Sequence, residues 1–308
     1  MRNSLVLILG LVLPGLLMGQ NSDPTRPAIT GISHMSLYAD DLPKSEAFYA
    51  SLLGWDQVPA TGAKSGVRFY ANHLQYIELL SPPRPDMINR LDGIGFVTKD
   101  AEALRMFLSV HGVAVPEAVT VERDGSRSFL THDPEGNQVE FTQPGHSARK
   151  PKNASESLSS HIIHIGMVAR DRAVLDRFYK DLLGFHLYWQ GGSSAGRTDW
   201  VMMQVPDGTD WLEYILLQPA EPSRWQFASA NHFAPGVASI TELQKRLVAR
   251  GWTPTSHERP PLLGADGKWQ LDLFDPDGTR AEFMEFKPVK EPCCSPYTGT
   301  QPGPSATW

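Results

Sequence analysis

The chain has 308 residues, 41% hydrophobic and 20% charged, which excludes a fibrous or wholly disordered protein and leaves room for two domains with their own cores. A formal charge of −6, a pI near 5.9 and no Lys/Arg run exclude a phosphate-binding face, so nucleic acid is not an expected partner. The only two cysteines, Cys293 and Cys294, are adjacent, so stability must come from apolar cores, and they are expected to be tail thiols without a structural role.

In chain order, a cationic head at Arg2 precedes the apolar run LVLILGLVLPGLLMG, which is short and broken by Pro and Gly. That pattern predicts a signal peptide over residues 1–19, with small Gly19 before the cleavage point and a less favourable Leu17 two residues earlier. The mature chain is then expected to be exported, periplasmic or extracellular, with no membrane segment after cleavage. An uncleaved anchor is the alternative.

Next come SHMSLYADDLPKSEAFYASLLGW (Ser33 to Trp55) and HIGMVARDRAVLDRFYKDLLGF (His164 to Phe185). His34 aligns with His164, Asp41 with Asp171, Phe48 with Phe178, Tyr49 with Tyr179 and Gly54 with Gly184, all offset by 130 (164 − 34). In each, a strand-like apolar run leads to an aspartate able to cap a helix, an apolar helical face, and a glycine that stops it. Strand-like runs follow: GVRFYA and LQYIELL in the first, WVMMQV and DWLEYILL in the second. A second repeat pairs DPEGNQVEF (Asp133 to Phe141) with DPDGTRAEF (Asp275 to Phe283), offset by 142 (275 − 133). Helix-like stretches DAEALRMFLSVHG and SITELQKRLVARG precede these two, and Asp-Pro-x-Gly is turn chemistry before a final strand.

The chain is therefore a doubled two-module unit, each module reading strand, helix, three strands. The expected divisions are a first domain over 29–142, a polar linker over 143–160, a second domain over 161–287 and a disordered tail over 288–308. Asn153 opens a glycosylation sequon, relevant only in a glycosylating host.

Polar residues inside these strands carry the chemistry. His164 and Glu213 fall in the first and last strands of module three, His232 and Glu282 in those of module four. A carboxylate flanked by Leu212 and Tyr214, or by Ala281 and Phe283, costs several kcal/mol to bury alone, so a compensating partner is expected. Any one of these residues by itself reads as core or solvent face. At four matched positions they read as a nitrogen/oxygen site for a divalent Zn, Ni, Co, Mn or Fe ion.

On these motifs, residues 29 to 287 resemble the vicinal oxygen chelate superfamily, which includes glyoxalase I, extradiol dioxygenases, bleomycin- and fosfomycin-resistance proteins and methylmalonyl-CoA epimerase. The resemblance implies an α+β fold of four βαβββ modules paired into two open eight-stranded, barrel-like cups. It implies His164, Glu213, His232 and Glu282 as a metal set, ordered as in glyoxalase I, with Glu213 or Glu282 as catalytic base. The first half offers His34, Glu78 and Glu140, but its fourth position falls at Gly93, and Asp92 next to it points to the opposite face. One working site and one degenerate site are expected.

Three functions follow from the resemblance. The first is metal-dependent, glyoxalase-like isomerase or lyase chemistry on a small substrate with vicinal oxygens, although the usual glutathione adduct fits poorly with export. The second is extradiol ring cleavage on His164, His232 and Glu282. Against it, Leu271 and Asp272 stand where leucine and tyrosine are wanted, no histidine lies between His257 and Glu282, and Glu213 is an extra carboxylate. The third is non-catalytic binding of a small molecule, as in bleomycin-resistance proteins, with Trp200, Trp211, Tyr214 and Trp225 lining the cup; relic half-sites on a scaffold would be a blander version. Both cups form within one chain, so a monomer suffices.

Overall fold

The structure is a computed structural model describing residues 25–60, 66–145 and 155–305. The expected leader at 1–19 and Asn153 lie outside the described residues. Among the described residues no helix is long and apolar enough to cross a membrane.

Module one comprises β1 (Ile29–Tyr38), α1 (Leu42–Glu46), β2 (Asp56–Pro59), β3 (Gly66–Tyr70) and β4 (Tyr76–Leu80). Module two adds β5 (Leu91–Thr98), α2 (Ala101–Val110), β6 (Thr120–Val121), β7 (Arg127–His132) and β8 (Gln138–Gln143). Module three repeats the plan with β9 (Ile162–Val168), α3 (Arg172–Asp176), β10 (His186–Gly191), β11 (Trp200–Gln204) and β12 (Trp211–Ile215). Module four begins with an extra helix, α4 (Arg224–Ala230), before β13 (His232–Val237), α5 (Ile240–Ala249), β14 (Leu262–Leu263), β15 (Trp269–Phe274) and β16 (Arg280–Glu285).

The strands form two eight-stranded curled sheets, ordered β2-β3-β4-β1-β5-β8-β7-β6 and β10-β11-β12-β9-β13-β16-β15-β14. Asp41 accepts from the Lys44 amide and Asp171 from those of Ala173 and Val174, so each FYxxLLG helix starts on its expected cap. Both helices widen into π-helical turns, over Ala47–Leu52 and Arg177–Leu182. They end at Gly54 (φ 75°) and Gly184 (φ 80°), in left-handed backbone that favours glycine.

Strand alternation divides the chemistry between faces. Ile165 and Phe233 point to the convex side and enter the core, whereas their neighbours His164 and His232 face the concave side. One continuous core joins the halves: Phe233 lies 5.7 Å from Trp55 and 6.0 Å from Tyr49, and Phe96 lies 5.2 Å from Phe185. Each such ring contributes about 2–3 kcal/mol through apolar burial, so the two sheets hold each other in place. Part of the linker joins this core, with buried Leu158 donating its amide to the Leu53 carbonyl and Trp55 donating to the Ser159 carbonyl.

The tail departs from expectation. Residues 288–305 are not disordered but run as a strap along the second sheet. The Thr298 amide donates to the Tyr188 carbonyl at 3.0 Å and Trp189 Nε1 to the Cys293 carbonyl at 3.1 Å. Farther on, Tyr188 donates to Gln301, and the Gly303 carbonyl meets His161 Nδ1 at 2.6 Å. These bonds are irregular and reach across more than a hundred residues, so no periodic pattern in the tail announces them. The cysteines also differ from expectation: Cys293 and Cys294 form a vicinal disulfide within the strap, with Cys294 at φ 74°.

Candidate metal centre

Four adjacent strands, β12-β9-β13-β16, build the site. Trp211 lies opposite His164 and Glu213 opposite Gly166 in the β12/β9 pair, while His232 lies opposite Gly166 and Ala234 opposite His164 in the β13/β9 pair. Glycine at 166 is a requirement of this register, because a Cβ there would lie 1.9 Å from the His232 ring. The site's residues are 0% (His164, His232), 5% (Glu213) and 6% (Glu282) exposed, so the quartet is shielded from bulk water.

The facing atoms converge. His164 Nε2 is 2.9 Å from His232 Nε2, and Glu282 Oε2 is 2.9 Å from His232 Nε2 and 3.3 Å from His164 Nε2. Glu213 Oε2 is 3.3 Å from His232 Nε2 and 3.7 Å from His164 Nε2. One donor atom from each residue fits within a 4.8 Å circle of mutual separation. First-row ions bind nitrogen and carboxylate oxygen at about 2.0–2.2 Å, giving spacings between neighbouring ligands of about 2.8 to 3.6 Å, close to these distances.

Electrostatics agree with a cation. Burial pushes the His164 imidazole below its ordinary pKa, outweighing Glu282 and Glu213. Burial and the Arg280 charge also push His232 down, but its hydrogen bonds to Glu213 and Glu282 outweigh them and raise it. Burial opposes ionisation of Glu282, yet Arg280 and the two imidazoles hold its carboxyl well below the usual carboxylate range. The carboxylates thus favour positive charge at His232, and a divalent ion bound here would take the place of that proton, because a metal ligand must be the unprotonated imidazole. His232 Nδ1 lies 2.8 Å from the Ala230 carbonyl at the end of α4; donating there, it leaves the Nε2 lone pair for the centre. The His164 ring stacks on Trp211 at 4.8 Å, which fixes its plane. The donor set therefore fits a first-row divalent ion.

Two cup residues were missed by sequence reasoning. Arg280 Nη1 lies 3.6 Å from Glu282 Oε1 and 3.7 Å from Asp272 Oδ1, while Nε donates to the Ser229 carbonyl at 3.0 Å. Arg280 thus holds the outer oxygen of Glu282 while the inner oxygen faces the imidazoles. Asp272 lies directly across from Glu282 in the β15/β16 pair, and burial raises its carboxyl pKa. The available signal was period two: Arg280 stands two residues before Glu282 and so shares its face. Of the four aromatics expected to line the cup, Trp211 does; Tyr214 instead packs toward Tyr179 at 6.1 Å on the convex side, and Trp225 is 39% exposed beside His257 and Phe274. Trp200 packs partly buried against Trp211's cluster.

The first sheet does not assemble its three candidates into such a centre. His34 Nε2 lies 3.5 Å from Glu140 Oε2, but Glu78 turns to Arg68, whose Nε donates to it at 2.7 Å, and to Ser36 Oγ at 2.9 Å. Among the described residues, the second-sheet quartet alone has metal-ligand geometry.

The sequence pattern of the Glyoxalase/Bleomycin resistance protein/Dioxygenase superfamily matches residues 31–141 and again 161–283. Compared with curated proteins, the sequence finds no match. Among solved structures, the fold is similar to the Mn(II)-bound glyoxalase from Novosphingobium aromaticivorans, at 20% identity and TM-score 0.61, covering 84% of this chain and 83% of that one. It is also similar to homoprotocatechuate 2,3-dioxygenase from Arthrobacter globiformis, at 18% identity and TM-score 0.63, covering 86% and 82%. A third similarity is to the 2,3-dioxygenase LapB from Pseudomonas sp. KL28, at 15% identity and TM-score 0.61, covering 87% and 97%. At these identities the likeness is one of fold.

Proposed function

The chain belongs to the glyoxalase/bleomycin resistance protein/dioxygenase superfamily, and from that premise we propose that its second half is a metal-dependent enzyme centre acting on a small substrate with vicinal oxygens, by glyoxalase-like isomerase or lyase chemistry. The observation that carries this reading is the buried convergence of His164, Glu213, His232 and Glu282 within 4.8 Å. His164, Glu213, His232 and Glu282 would hold a divalent ion, which when bound would supply Lewis acidity toward the substrate's oxygens and so favour loss of a proton from a neighbouring C–H.

The protein's own part is proton transfer and orientation. The two glutamates are not equivalent. Glu282 is fastened by Arg280 and lies closer to both imidazoles, which makes it the fixed ligand. Glu213 stands farther off, at 3.3 and 3.7 Å, and so is the freer of the two, which makes it the base. Burial excludes water from the proton it moves. The test is solvent deuterium exchange, followed by NMR, across hydroxy-ketones and related compounds in the Mn(II)- or Zn(II)-loaded protein. Exchange at a carbon next to the oxygens in the wild type, lost in Glu213→Gln with metal retained, supports the assignment. No exchange with any member of the panel speaks against it.

One observation favours a second reading. His164, His232 and Glu282 make the tighter trio, at 2.9 to 3.3 Å, and two histidines with one carboxylate suit an iron(II) oxygenase. Oxygen uptake by the Fe(II)-loaded protein with catechols distinguishes it from isomerase chemistry.

A further inference from the structure

Superposing the strand registers of the two sheets shows that the first differs from the metal centre at three coordinated positions. Arg68 lies opposite Glu78 in β3/β4 as Met202 lies opposite Glu213 in β11/β12. Ser36 lies opposite Glu78 and Gly93, as Gly166 lies opposite Glu213 and His232. Gly93 accordingly stands where His232 stands. The rest is retained: His34 stacks on Tyr76 at 4.8 Å, as His164 stacks on Trp211 at the same spacing, and Glu140 reaches His34.

The three differences support one another. Arg68 and Ser36 occupy both oxygens of Glu78, at 2.7 and 2.9 Å. The guanidinium also lies 4.7 Å over the Tyr76 ring, next to His34. A histidine at 93 would meet the Ser36 side chain, just as a Cβ at Gly166 would meet His232 at 1.9 Å. Glycine at 93 is thus the partner of serine at 36. A Cβ at 93 would lie 3.2 Å from both the Cβ and the backbone carbonyl oxygen of Gln138, a tight contact but not the overlap met at Gly166, so a side chain there needs Gln138 to move by a few tenths of an ångström.

We infer that Arg68, with Ser36, is a built-in replacement for a divalent cation: the first cup is a metal site of the same plan whose charge is supplied by a guanidinium. The inference rests on the reading of the second cup as a metal centre, but its test is separable. Arg68 is single-charged, and Glu78 and Glu140 are two carboxylates. The cup without its fourth ligand therefore keeps one guanidinium-neutralised carboxylate and one that is 29% exposed to water. Neither carboxylate is then left buried without a compensating charge or access to water.

The experiment uses the full chain carrying His232→Ala, which removes the second centre, with and without Ser36→Gly, Arg68→Met and Gly93→His. Each protein is exposed to Mn(II), Zn(II) or Ni(II), desalted and analysed for bound metal, with thermal unfolding followed in parallel. The expected result is no retained ion in His232→Ala alone and about one equivalent in the restored chain, lost again on His34→Ala. An ion retained by His232→Ala alone and lost on His34→Ala would overturn the inference. So would a restored chain that unfolds cooperatively yet takes up no ion. If the restored chain fails to fold, Arg68→Met on the His232→Ala background decides: a rise in its unfolding temperature with added ion, absent when Arg68 is intact, supports the inference, and no rise overturns it. Metal-free wild type refutes the second-cup reading without touching this comparison.

Discussion

The Tyr49 hydroxyl donates at 2.9 Å to the carboxylate of Asp275, 226 residues away in the other half of the chain. The mirror contact also exists, with Tyr179 donating to Asp133 at 3.2 Å. The FY of each helix thus reads the Asp-Pro-x-Gly turn of the opposite half, and the Asp275 turn leads directly into β16 with its Glu282. This explains why the two motifs recur together: each half completes the other's last hairpin.

Tyr49→Phe removes that donor while Asp275 stays buried, still accepting from the Asp277 and Thr279 amides. A loss of about 1–2 kcal/mol is expected in chemical denaturation, with the centre's metal affinity little changed. An unchanged stability would mean that the interhalf contact is incidental.

Asp275 also sets a pH dependence. Burial raises its carboxyl to about 6 in the folded chain, against an ordinary value of 3.8. Because the folded pKa is the higher one, its contribution is fully present below the ordinary value and is lost as pH rises through about 6. A gap of about two units corresponds to about 2–3 kcal/mol. Asp275→Asn is therefore expected to flatten the decline in stability between pH 4 and pH 6.5 by up to about that amount. Parallel denaturation curves for the two proteins across this window would contradict it.

Gly166→Ala places a methyl where the His232 ring sits, 1.9 Å from the nearest atom. The ring must leave, so bound metal is expected to fall at least tenfold in affinity while the convex core, which includes Ile165 and Phe233, stays folded. Circular dichroism with elemental analysis separates loss of the site from loss of the fold.

The strap yields a chemical prediction. Alkylation without reductant is expected to label neither Cys293 nor Cys294, and alkylation after reduction to label both. Deleting residues 288–308 is expected to uncover Tyr188 and Trp189, shift tryptophan fluorescence to the red and lower the unfolding temperature. A truncated chain with unaltered fluorescence would show that the strap is not docked.

Much of this fold was legible because the sequence states each module more than once. Register between His34 and His164, or between the two Asp-Pro-x-Gly turns, substitutes for a set of related sequences. The quartet was legible for the same reason, as polar residues interrupting apolar strands. Arg280 and Asp272 were not, because a charged residue on a strand looks solvent-facing until the curled sheet turns it inward. The strap and its disulfide were not, because their order comes from single long-range bonds to β10 rather than from any local pattern. Nor was Arg68, whose meaning appears only when β3 is laid beside β11.

The central claim is that the second cup holds one divalent ion through His164, Glu213, His232 and Glu282. The most direct measurement is elemental analysis of the chain from residue 20, purified without added metal and then reloaded, beside His232→Ala. The account predicts about one equivalent of a first-row transition metal in the wild type and none in the variant. Wild-type protein that carries no metal and takes up none of Ni, Zn, Mn or Fe(II) would contradict it.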